Sequence, residues 1–241
     1  VGGGTVVAMT TTETPPAPFA VTPRRPGEPE PDLMGFRLIH RALRSGTRLL
    51  ADATSAIARG ETCPRERQRA IVQFSLAVLH EITHHHQRED DVLWPVIVAS
   101  AGDAVDLQPL SDDHTVLHKV LDRAAEALPL FARDPATGAP LLAPVLTELA
   151  DLLDEHIAEE EAEVFPVIRQ HVSAGDFARC ERMFRKGTAP GQMLFVLPWI
   201  VDQCDDAELA DLRKAAPAPL KLLLRLGQGR YTRRRDAVLG H

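Results

Sequence analysis

Three pairs of metal-binding side chains recur at one helical spacing between residues 85 and 160. They are His85 and Glu89, His114 and His118, and His156 and Glu160. On a helix, positions i and i+4 lie on one face about a turn apart. The first and third pairs belong to a phrase that occurs twice: Trp94-Pro95 trails Glu89 as Phe165-Pro166 trails Glu160, with each proline six residues beyond its glutamate. Any fold for this chain has to account for these pairs together.

Each pair continues the apolar stripe of its segment. His85 and Glu89 extend Val78, Ile82, Val92 and Val96; His114 and His118 lead to Leu121; His156 and Glu160 extend Leu149, Leu153, Val164 and Val167. His40 lies likewise among Phe36, Leu43, Thr47 and Leu50. The polar groups therefore face a core, where an unpartnered carboxylate costs several kcal/mol or takes up a proton. Divalent cations satisfy the whole set. Five imidazoles and two carboxylates exceed what one tetrahedral zinc takes and hold too little oxygen for calcium or magnesium. They suit two iron-type ions. If both carboxylates and one further oxygen bridge, one octahedral position stays open for a small ligand such as O2 or peroxide.

The apolar periodicity predicts an all-α fold, with no strand pattern. Residues 32–172 divide into four amphipathic helices, expected as an antiparallel up-down four-helix bundle. The first starts near Asp32 and the second after Pro64, with Pro95 kinking it near its C-terminal end. The third has Ser111 as N-cap, and the fourth runs from about Pro140. Residues 1–31 hold seven prolines and a glycine triplet and read as a disordered tail. Residues 173–241 read as shorter helices with a basic end, forming a C-terminal extension.

The formal net charge is −7. Eight of the 27 Lys and Arg residues lie beyond residue 212, with one of the 34 acidic residues, so the rest carries 19 basic and 33 acidic side chains. That acidic body argues against nucleic acid as a partner. The basic end, from Leu220 to Arg235, fits an acidic partner or a membrane surface, or a helix docked on the bundle by its Leu face. Three cysteines far apart make no disulfide framework. With no signal segment and no span in the chain, since Pro198 breaks the apolar run Met193–Val201, a cytoplasmic location is expected.

The order His40, His85-xxx-Glu89, His114-xxx-His118, His156-xxx-Glu160 resembles the hemerythrin-like (HHE cation-binding) domain family over residues 32–172. The resemblance implies a non-heme diiron centre held by His40, His85, Glu89, His114, His118, His156 and Glu160, with Glu89 and Glu160 bridging. Where oxygen-carrying hemerythrins end in HxxxxD, this chain has HxxxE, which leaves the ligand set intact and weakens transfer of the carrier role. His86-xxx-Asp90 offers a second register, and the downstream copy of the phrase favours His85 and Glu89. His86, Asp90, Glu81, Trp94 and Phe165 are then expected around the ligands, not among them. The functions implied are O2 or peroxide binding for storage or sensing, alternatively a diiron oxidase, oxygenase or peroxide-decomposing enzyme, and last an iron or redox regulator.

Overall fold

The computed structural model describes residues 14–240. Among them the secondary structure is helical throughout, with no strand: α1 (Met34–Ala58), α2 (Arg65–Arg88), α3 (Trp94–Ala101), α4 (Gln108–Arg133), α5 (Pro135–His171), α6 (Ala174–Gly187), α7 (Pro190–Val201), α8 (Asp206–Ala215) and α9 (Ala218–Leu239).

Helices α1, α2, α4 and α5 pack in a cycle, α1 against α5, α5 against α4, α4 against α2 and α2 against α1. Two apolar clusters lie between them. One gathers Leu43, Ile82, Leu117 and Ile157; the other gathers Phe36, Leu93, Leu110 and Val164. Helices α1, α4 and α5 pass from one cluster to the other, and the chain does so after α2. Along α1 and α4 it meets Phe36 before Leu43 and Leu110 before Leu117, whereas along α5, and from Ile82 on α2 to Leu93 just beyond its end, the order reverses. The His and Glu pairs fall where the chain crosses between clusters, so they form a polar layer between two dry cores.

The backbone departs from the expected pattern after Arg88. Residues Glu89–Leu93 form a π-helical turn, closed by the Trp94 N–H donating to the Glu89 carbonyl. Pro95 has no N–H to continue an α-helical ladder, and its ring crowds the carbonyl four residues back. A wider turn relieves both, and π turns of this kind recur at functional sites. The second copy of the phrase behaves differently, because Pro166 is accommodated within the continuous helix α5. The repeated phrase therefore has two backbone forms.

Other boundaries move as well. Ser111 is not an N-cap: α4 begins a turn earlier at Gln108, and the Ser111 hydroxyl donates to Asp90 Oδ1 at 3.1 Å. Helix α5 starts at Pro135, five residues before the expected Pro140, with Asp134 accepting from the Ala136 N–H. Proline fits the first turn of a helix because its missing N–H has no partner there anyway. Helix α5 is long and apolar enough to cross a membrane by length and composition, yet half of its most apolar window is buried here and it carries His156 and Glu160.

Residues 14–31, read above as disordered, lie along the protein. The Thr22 N–H donates to Asp176 at 2.7 Å, the Arg24 N–H donates to the His171 carbonyl at 2.8 Å, and Arg179 stacks over Phe19. Residues 1–13 of that tail lie outside the described residues.

The C-terminal helices dock on α1 and α2. Trp199 is buried against Gly46 and Phe74, and Tyr231 donates to Asp202 at 3.1 Å. Helix α9 is thus a docked helix, but not by the expected leucine face. Leu222 and Leu226 are exposed, and the buried positions are Gly227, Tyr231 and Val238.

Candidate metal centre

The layer between the two cores gathers two groups. His40, His85, Glu89 and Glu160 bring one donor atom each within 4.8 Å of one another, and His86, His114 and His156 do the same. All seven residues are buried.

Glu89 joins the groups. Its Oε1 lies 2.9 Å from His85 Nε2 and its Oε2 3.5 Å from His114 Nε2. Glu160 is placed comparably, with Oε2 3.4 Å from His40 Nε2 and 3.9 Å from His156 Nε2. Yet all four carboxylate oxygens are buried with no hydrogen-bond partner, as are His114 Nε2 and both ring nitrogens of His86 and His156. Orphaned polar atoms of this number in one layer are rare in a native interior, and each one needs an explanation such as a bound ion.

The outer edges of the rings show which lone pairs face inward. His40 Nδ1 lies 2.9 Å from Glu161 Oε1, His114 Nδ1 3.0 Å from Asp90 Oδ2, and His118 Nδ1 2.8 Å from the His114 carbonyl. Carboxylates and carbonyls accept, so in each ring Nδ1 carries the hydrogen and Nε2 keeps a bare lone pair. His156 Nδ1 has Asp113 Oδ2 at 3.5 Å on its outer side. Metal-binding imidazoles are oriented in this way. The bare His40 Nε2 sits 3.1 Å from His85 Nε2 and 3.4 Å from Glu160. That convergence of lone pairs suits a cation between them.

The electrostatics agree. Burial pushes the Glu89 carboxyl up to about 8 and the Glu160 carboxyl well above its usual range, the latter with help from the Glu89 charge. Burial pushes His85 and His156 down to about 3, with His114 adding to both, and lowers His86 strongly. The groups are thus held in a neutral, dry layer that a cation would charge. Glu161 goes the other way: its partial burial is outweighed by the hydrogen bond with His40 together with the charges of His40, Arg44 and Arg37.

The expected residues fare unequally. His40, His85, Glu89, His114, His156 and Glu160 come together. His118 stands at the edge, half-buried, outside both groups. His86, expected around the ligands, lies wholly buried within the second group. Its signal was present in the sequence, because Ser75, Leu79, Ile82 and His86 form a second inward row on α2. Asp90 supports His114. Trp94 stacks over His114 with ring centroids 6.2 Å apart, and Phe165 over His40 at 6.0 Å. Glu81 is buried but pairs with Arg88 at 2.9 Å and accepts from Gln192 at 3.2 Å, which ties α2 to α7.

The match to known families follows this geometry. The family model described as "Hemerythrin HHE cation binding domain" matches residues 35–168, more than half of the chain. The chain belongs to that family. The match spans every residue of the buried layer. Among curated proteins, a DNA nickase of Nostoc sp. is 26% identical over 97 residues, which cover 40% of this chain and 25% of that protein. The chain thus aligns with about a quarter of that relative's length, and nicking is said of that protein alone. No solved structure matches the chain.

Proposed function

We propose that this hemerythrin HHE domain is an up-down four-helix bundle holding two iron ions, and that it binds O2 or peroxide there. The observation that carries the reading is the pair of orphaned buried carboxylates, Glu89 and Glu160, each lying between imidazoles of two groups. His40, His85, His114, His118 and His156 would supply the nitrogen donors, and the two glutamates would bridge. Iron bound there supplies electron transfer to O2 or peroxide.

The rest of the work falls to the chain. Glu161, Asp90 and the His114 carbonyl hold three rings in the tautomer that turns Nε2 inward. Phe36, Trp94 and Phe165 keep bulk water from the layer, which strengthens every charge interaction within it. A surface groove of about 660 Å³ is lined by Ser55, Pro140, Thr147, Glu148 and Asp151 and by none of the His or Glu residues of the layer. The layer itself is buried, so a ligand of a few atoms suits it better than a bulky organic substrate, which favours O2 or peroxide binding over an oxygenase.

The test is optical. The iron-loaded protein is reduced without oxygen and exposed to O2. A spectral change reversed under argon supports reversible binding. Irreversible oxidation, with peroxide consumed over many turnovers, would place the protein with the diiron oxidases and peroxide-decomposing enzymes.

A further inference from the structure

We propose that His86 is itself a metal ligand, sharing an ion with His114 and His156, so that an outside ligand at that ion must compete with an imidazole of the chain. The inference rests on the diiron reading above and extends it, because His86 is outside the seven residues assigned there.

His86 is 0% exposed, and neither of its ring nitrogens has a hydrogen-bond partner. A neutral imidazole carries one N–H and one lone pair, and a buried ring seldom leaves both unused. Its surroundings offer little but other imidazoles. The ring stacks on His114 with centroids 4.2 Å apart and 13° between planes, meets His156 edge-on at 5.4 Å, and lies 6.0 Å from His118. One nitrogen of His86 falls within 4.8 Å of a nitrogen of each of His114 and His156. Packing alone would place an apolar side chain in this position, as Ser75, Leu79 and Ile82 fill the same row elsewhere with small or apolar groups. A buried ring with both nitrogens unpartnered, one of them within 4.8 Å of nitrogens on two further imidazoles, is explained by a cation that gathers them.

An octahedral ion at this end with two bridging carboxylates and one further bridging oxygen takes three imidazoles. His86, His114 and His156 would supply them, while His118 stands at the edge, outside the group. The open position then belongs to the ion of His40 and His85, and removing His86 should open a second position at the His114 end.

Two measurements test this. In the unaltered full-length protein loaded with zinc, 15N NMR of the histidine rings should show one His86 nitrogen at a metal-bound shift. Both His86 nitrogens at free-imidazole shifts would overturn the proposal. In the oxidised iron-loaded protein, azide binding is titrated by its visible absorption band for the unaltered chain and for His86→Ala and His86→Phe. The phenyl ring keeps the stacking on His114 and removes the donors. Azide bound should rise from about one to about two per pair of irons. An unchanged ratio of azide to iron in His86→Phe would overturn the proposal. Absence of iron from the unaltered protein is a separate result, read by metal analysis, and would remove the diiron reading together with this one.

Discussion

Asp90 Oδ2 lies 3.0 Å from His114 Nδ1, while Oδ1 of the same carboxylate accepts from the Ser111 hydroxyl at 3.1 Å. One side chain on the π turn thus fixes the ring of a candidate ligand on the neighbouring helix α4. Asp90 is itself only partly buried.

Outer partners of this type typically contribute 10–100-fold to metal affinity. Asp90→Ala is therefore expected to weaken iron or zinc binding by about 10–100-fold, measured by competition with a chelator, with helix content unchanged. Ser111→Ala should cost less, because it removes one hydrogen bond to the carboxylate and leaves the hydrogen bond from His114 Nδ1. An affinity unchanged in Asp90→Ala would detach this residue from the site.

The metal-free protein should show a stability maximum between about pH 4.5 and 6.5. Burial raises Glu89 from 4.5 to about 8 and raises Glu160 as well. In that window the folded state holds protons that the unfolded chain has released, so stability falls as pH rises from 4.5 through 8. His85 and His156 are lowered from 6.5 to about 3. Between those values the unfolded chain binds the extra protons, so stability falls as pH drops from 6.5. Below 4.5 the histidines dominate and above 6.5 the glutamates do. Urea unfolding at pH 4, 5.5 and 8.5 checks this. Metal should remove most of the alkaline loss, because the ion takes the place of the protons.

The same shifts predict proton release on loading. At pH 7 Glu89 is largely protonated without metal and must ionise to bind it. Calorimetric titration in buffers of different ionisation enthalpy should find about one proton released per chain at pH 7 from Glu89. The number should drop as pH rises through about 8. Glu89→Gln should lower the count by about one.

Gly227 marks the crossing of α9 over α7. A Cβ built there would lie 2.3 Å from the Leu194 carbonyl oxygen and 3.0 Å from Pro198 Cγ. The oxygen belongs to the backbone and has little room to move. Gly227→Ala is expected to cost about 1–3 kcal/mol, seen as a lower urea midpoint, while the iron content of the folded protein is kept. Loss of iron at full stability would mean that the extension acts on the site through more than packing.

How much of this was legible in the sequence depends on the residue. His40, His85, Glu89, His114, His156 and Glu160 could be placed because each sits on an apolar stripe of period 3.6, and a core-facing stripe leaves one choice of face. The burial of His86 was not legible from the one apolar stripe of α2, because that helix is buried on two adjacent rows. The π turn was not legible: Pro95 announces a disturbance, and only tertiary packing decides between a kink and a widened turn, as the continuous helix at Pro166 shows. Asp90 reads in sequence as a neighbour of the ligands and Ser111 as an N-cap, and their pairing needs the turn after α2 and the start of α4 side by side. The docking of α9 through Gly227 and Tyr231 runs against its leucine pattern, so no reading of periodicity would have found it.

The most direct test is iron per chain in the full-length protein, measured by elemental analysis after anaerobic loading and desalting. The account predicts about two iron ions per chain in the unaltered protein, falling below about one in a Glu89→Ala, Glu160→Ala double variant that remains helical. Iron below a tenth of an ion per chain in the unaltered protein, or two ions retained by the double variant, would contradict it.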